Sequence, residues 1–188
     1  GNGMLRSWHN LRGHPLKKAW KALSMVLVIS TEPSFLIQGA QSPFNVVDPL
    51  TLPPLTMEQV ALLNRLHGAP LDDEQARALH DLVGGQPYLT RKALYELTVP
   101  DHKITPAQFF ASAASDGGPF RDHLRRFLLV LEGLPELKTA LGGILHGVTP
   151  SDIRLAYRLQ SAGLVTVVDR SVKPACELYA QYFRRLNL

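Results

Sequence analysis

Three short stretches of this 188-residue chain carry side chains of the kinds that do chemistry. Ser30, Thr31 and Glu32 follow the apolar run Met25-Val-Leu-Val-Ile29. At the carboxyl end of a buried strand, where open α/β sheets bind their ligands, hydroxyls and a carboxylate can orient water or sense a terminal phosphate. A plain strand cap closed by Pro33 accounts for the same residues. In Leu82-Val-Gly-Gly-Gln-Pro-Tyr-Leu89, the pair Gly84 and Gly85 joins two helices and Pro87 opens the second. That is an ordinary helix–turn–helix corner, or a flat, backbone-lined contact for a purine beside a helix N-terminus that favours phosphate. Finally, Arg154, Arg158, Arg170 and Lys173 stand on a helix and the hairpin after it. Such cations can meet DNA phosphates and bases, or simply form a solvated face.

Other chemistries lack their signatures. There is no G-x-x-x-x-G-K-[ST] loop and no G-x-G-x-x-G fingerprint, and the seven histidines never fall in an H-E-x-x-H spacing. No G-x-S-x-G or Cys–His pattern marks a nucleophile. The single cysteine, Cys176, excludes an intramolecular disulfide framework and a thiolate metal site, and suits a reducing cytoplasm. Hydrophobic residues make up 45% and charged ones 19%, so the chain has the material for a packed core. A net charge of +4 permits an anionic partner without requiring one. No apolar run approaches the ~20 residues that span a bilayer, and no signal-peptide layout is present.

The elements that must hold these residues are legible from their caps. Residues 4–22 read as a basic amphipathic helix and loop, and 24–30 as a strand buried on both faces. Residues 42–54 are Pro-rich and read as an extended connector. Capping boxes at Thr56–Gln59, Asp72–Gln75 and Thr105–Gln108 start helices over 57–67, 73–83 and 106–114, and Pro87 starts one over 87–98. Ser115-Asp-Gly-Gly-Pro119 reads as a loop and domain boundary, followed by helices near 120–132 and 135–146.

Thr149 to Arg170 (TPSDIRLAYRLQSAGLVTVVDR) then reads as the second half of a winged helix-turn-helix. Thr149 caps a helix with Pro150 at its first position. Ile153, Ala156 and Leu159 share one face, which is expected to be buried with Leu164 and Val167, while Arg154 and Arg158 lie on another. Gly163 ends the helix, Leu164–Val168 form a strand, Asp169-Arg-Ser turns, Val172 starts the return strand, and a final helix runs near 176–186.

The stretches WHNLRGHPLKKAWKALSMVLVISTEPSF, SPFNV, LVGGQPYLTRKALYEL and YRLQSAGLV…CELYAQYFRRL together resemble the bacterial AAA-like domain family of STAND-type signalling ATPases. The resemblance covers nearly the whole chain and implies the C-terminal part of the family domain. It assigns 1–50 to the remnant of an α/β P-loop core ending in the sensor-1 strand, 51–117 to a helical lid and 118–188 to a winged helix, mainly α overall. It further implies that Gly84, Gly85 and Pro87 lie near a nucleotide base and that Ser30, Thr31 and Glu32 lie near its γ-phosphate. ATP or ADP with Mg²⁺ is the ligand of the intact family domain. The Walker A and B segments would precede residue 1, so the isolated chain is expected to bind no cofactor and not to be an enzyme.

Three functions follow as expectations. The first is the lid and winged-helix portion of a nucleotide switch, completed by a P-loop core or partner protein. The second is a small DNA-binding regulator, and the third a protein-binding module. A strand at 24–30 without parallel neighbours also leads to the expectation of a homodimer through residues 1–40.

Overall fold

Five of the described helices start where a side chain takes up free backbone donors, and the computed structural model shows those caps in place. It describes residues 52–101, 104–169 and 171–188, together with Ser7, Asn10, Leu11, Gly13 and Ala22. The chain divides into two units, 1–52 and 53–188, and every element named below belongs to the second. The strand expected at 24–30, the basic helix before it and the dimer surface placed at 1–40 fall outside the described residues.

Eight helices and one two-stranded sheet are present among the described residues. Helix α1 runs Met57–Leu66, α2 Asp73–Val83, α3 Pro87–Thr98 and α4 Pro106–Ser112. Thr56, Asp72 and Thr105 each accept a hydrogen bond from the backbone three residues on, and Gln59, Gln75 and Gln108 reach back to complete capping boxes. Helix α3 instead has Gln86 as its cap, whose Oε1 accepts from the Leu89 N–H at 2.7 Å, with Pro87 at the first helical position.

After turns at 113–120 come α5 (Arg121–Glu132), α6 (Pro135–Leu145) and α7 (Ile153–Ser161). Strand β1 (Val165–Val168) pairs antiparallel with β2 (Ser171–Pro174), Val165 opposite Pro174 and Val168 opposite Ser171. Helix α8 (Glu177–Arg185) closes the unit.

Two local expectations are corrected here. The cap of α7 is Asp152, not Thr149, because its carboxylate accepts from the Arg154 N–H at 3.0 Å. The helix therefore begins three residues after Pro150, and Ile153 in its first turn is 40% exposed rather than buried. Val167 is only half-buried, whereas Ala156, Leu159 and Leu164 are buried.

The end of α7 is a Schellman motif. Gly163 is left-handed at φ 77°, its N–H donates to Gln160 and the Leu164 N–H donates to Leu159, while both leucines are buried together. This turn points the chain directly into β1.

The core follows from the helix faces. Helix α2 buries Ala76, Leu79, Leu82 and Val83, and α6 buries Leu137, Ala140, Leu141, Ile144 and Leu145 while its first turns expose Glu136 and Lys138. Helix α8 buries Leu178, Tyr179, Ala180, Tyr182 and Phe183, and packs against both α2 and α6. A helix that is apolar over so wide a face needs partners on several sides. The last helix in sequence thus joins the first helices to the later ones. The core also runs on across residues 115–119, where Phe109 of α4 meets Phe120 edge-on at 5.7 Å.

Candidate functional site at the corner before α3

The backbone conformation of the Gly84–Gly85 corner is one that side chains disfavour. Gly84 lies at φ 60° and Gly85 at φ 67°, both left-handed. Space forbids a side chain as well. A Cβ on Gly85 would collide with the Leu55 carbonyl, and one on Gly84 would stand 3.0 Å from the Ala175 carbonyl and 3.2 Å from Cys176. The Leu55 N–H donates to the Gly85 carbonyl at 2.7 Å. The glycines are therefore needed so that two other segments, the connector before α1 and the entry to α8, can approach the corner.

What the corner presents outward is Pro87 and Tyr88. Both are exposed, Tyr88 by 54%, while Leu89 and Thr90 behind them are buried. Thr90 satisfies its hydroxyl internally by donating to the Gln86 carbonyl at 2.9 Å. The result is a rigid, partly aromatic surface at the N-terminus of a twelve-residue helix. Such a surface can take a flat ring by stacking, and the helix end favours negative charge.

Tyr88 is not isolated. Its ring lies 5.4 Å from that of His123 on α5. His123 stacks on Tyr179 of α8 at 5.8 Å, its Nε2 lies 2.8 Å from the Tyr179 hydroxyl, and Phe127 meets both rings edge-on. Partial burial, aided by the charges of Arg126 and Lys92, depresses the His123 pKa to about 4. Burial likewise raises the pKa of Tyr179. A neutral imidazole beside a protonated phenol can accept its hydroxyl hydrogen at Nε2. No sequence signal pointed to His123 or Tyr179, which lie 56 residues apart. The one local hint is that His123 and Phe127 share a face of α5 at i and i+4.

The basic residues are arranged differently. Arg154 is exposed and makes a bidentate pair with Asp152, at 3.0 and 2.9 Å, inside its own helix cap. Arg158 reaches Glu136 of α6 at 3.1 Å. Each pair lowers the carboxylate's pKa through the guanidinium hydrogen bond. Lys173 is exposed and lines an open cleft of about 470 Å³ with Thr149, Glu177 and Arg184. Arg170, Ser30, Thr31 and Glu32 lie outside the described residues.

Of the ten residues singled out from sequence, the structure thus brings together Gly84, Gly85 and Pro87. Among the described residues no three His, Cys, Asp or Glu side chains are grouped to hold a metal, and no helix is long and apolar enough to cross a membrane.

The profile of the AAA-like domain matches residues 2–185 of this chain. The chain belongs to the AAA-like domain family. The match runs through the corner, the aromatic cluster and both arginine pairs. No curated protein and no solved structure matches it.

Proposed function

We propose that these residues form the lid and winged-helix portion of a STAND-type nucleotide switch. In this reading α1–α4 are the lid, α5–α8 with the β1–β2 hairpin are the winged helix, and residues 1–50 belong to an α/β nucleotide-binding core. The observation that carries it is the corner before α3. In this AAA-like chain two left-handed glycines are clamped by neighbouring backbone, and beside them Pro87 and Tyr88 stand exposed at a helix N-terminus.

ATP or ADP is the proposed ligand, its base against Pro87. Ser30, Thr31 and Glu32 are proposed to face the γ-phosphate. These 188 residues contain no phosphate-cradling Walker A loop, so Mg²⁺ and the β- and γ-phosphates would be held by a P-loop core outside them or by a partner. The chain alone is then a switch element rather than an enzyme. Bound nucleotide would bias lid and winged helix between two arrangements. The homodimer through residues 1–40 and a cytoplasmic setting belong to the same proposal.

The DNA-binding alternative draws less support. Two of its four cations, Arg154 and Arg158, already hold carboxylates. A phosphate would have to displace Asp152 and Glu136 first.

The test is equilibrium binding of ATP and ADP to the full-length protein that carries this domain. Pro87→Ala should weaken binding by about ten-fold, the loss of one good apolar contact. The 188-residue chain should show no hydrolysis above a no-protein control. Unchanged affinity in the Pro87→Ala protein defeats the assignment of the corner. Hydrolysis by the 188-residue chain that survives purification and disappears on Pro87→Ala would instead keep the corner and defeat the reading of the chain alone as a switch element rather than an enzyme.

A further inference from the structure

The corner touches α8 by two routes, and neither uses residues close in sequence. One is backbone packing, with Gly84 against Ala175 and Cys176 at the entry to α8. The other is a chain of rings, Tyr88 of α3 to His123 of α5 to Tyr179 of α8. The second route is short and polar at one joint only, the 2.8 Å contact between His123 and the Tyr179 hydroxyl.

We propose that Tyr88, His123 and Tyr179 form a mechanical joint that couples the corner before α3 to the first turn of α8, with His123 as the positioning residue. The reasons are geometric. Tyr88 is the half-exposed end of the chain, where a ligand or partner can reach it. Tyr179 is the buried end, only 4% exposed, on the helix that packs against both α2 and α6. His123 fills the space between them and is held from a third side by Phe127. Displacing Tyr88 leaves His123 with an unfilled face, and close-packed interiors answer such gaps by shifting neighbours.

The groups around the imidazole keep it in one state. Lys92 of α3 and Arg126 of α5 both oppose a positive charge on it. A neutral ring retains the hydrogen bond to Tyr179 throughout the neutral pH range, so the joint does not depend on pH there. That a nucleotide operates the joint rests on the function proposed above; the coupling itself does not.

Hydrogen exchange on the full chain without ligand tests the coupling. Tyr88→Ala should speed exchange at Ala180 and Tyr182 of α8 by about five- to ten-fold, the usual coupling between contacting residues. Exchange at Leu141 and Ile144 of α6 should change much less. In a His123→Ala background the same Tyr88→Ala change should have no added effect on α8. Tyr179→Phe, which keeps the ring and removes only the hydroxyl, should in turn shift the amide resonances of Leu89 and Thr90.

Equal acceleration in α6 and α8 would mean general destabilisation and sink the joint. So would a Tyr88→Ala effect that persists without His123. A second arm adds ATP to the full-length protein. Resonance changes at Tyr88 that stop short of α8 would leave the nucleotide reading standing and remove the coupling. Coupling without any ATP response at Tyr88 would do the reverse.

Discussion

The corner before α3 and the outer face of α7 both drew notice for their residue types, yet they spend those residues in opposite ways. At the corner, Gly84 and Gly85 are consumed by packing, and that packing leaves Pro87 and Tyr88 exposed on a rigid base. On α7 Arg154 is exposed and Arg158 partly so, but Asp152 and Glu136 already occupy them. A residue's usefulness for binding depends on what its neighbours leave unsatisfied. By that measure the corner is the better candidate site.

The largest effect expected from this contrast is at Gly85. Gly85→Ala combines a left-handed backbone penalty with collision against Leu55, about 3–5 kcal/mol in all, read as a fall in the urea midpoint. Gly163→Ala is its control. Gly163 is left-handed too but has open space around it, so the loss should be only about 1–2 kcal/mol. Equal losses at the two positions would mean that the corner is not clamped.

Next comes the anchor of α7. Leu159 is fully buried, and Leu159→Ala should cost about 3 kcal/mol. A loss below about 1 kcal/mol, as at a surface site, would mean that α7 is not tied to the core.

A smaller effect follows from His123. Its folded pKa is about 4 against an ordinary 6.5, so the unfolded chain binds the extra proton between those values. The contribution to stability is complete above pH 6.5 and is lost as pH falls from 6.5 to 4. Full burial would set its size near 3 kcal/mol, and solvent screening of a half-exposed ring reduces this to about 1–2 kcal/mol. His123→Phe should flatten the stability curve over that window. An unchanged pH slope would show that His123 is not desolvated.

The smallest effect is expected where sequence alone suggested most. Replacing Arg154 and Arg158 together by Ala should leave the unfolding midpoint unchanged, because both pairs are solvent-exposed. It should also leave DNA retention in a mobility-shift assay unchanged. A loss of retention that is largest at low salt and shrinks as salt rises would restore the DNA reading.

Much of this was legible in the chain. Caps and turns are local devices, so three capping boxes, Pro87 and Gly163 marked element ends to within a few residues. The cap of α7 was misplaced because Thr149, Ser151 and Asp152 are all competent caps. Sequence could not rank them, and the bidentate Arg154 pair reinforces Asp152. Ile153 was misjudged for the same reason, since moving the start of the helix puts it at the exposed first turn.

The sequence by itself determined the helix order, the hairpin and the family, because these rest on spacings of a few residues and on an ordered set of short motifs. Only the tertiary structure decided what those residues meet. It brought Leu55 and Ala175 against adjoining glycines, set His123 between Tyr88 and Tyr179, and gave Arg158 to Glu136. Such contacts join segments far apart in the chain, and no local propensity encodes them. They follow from how the apolar faces of α2, α6 and α8 close on one core.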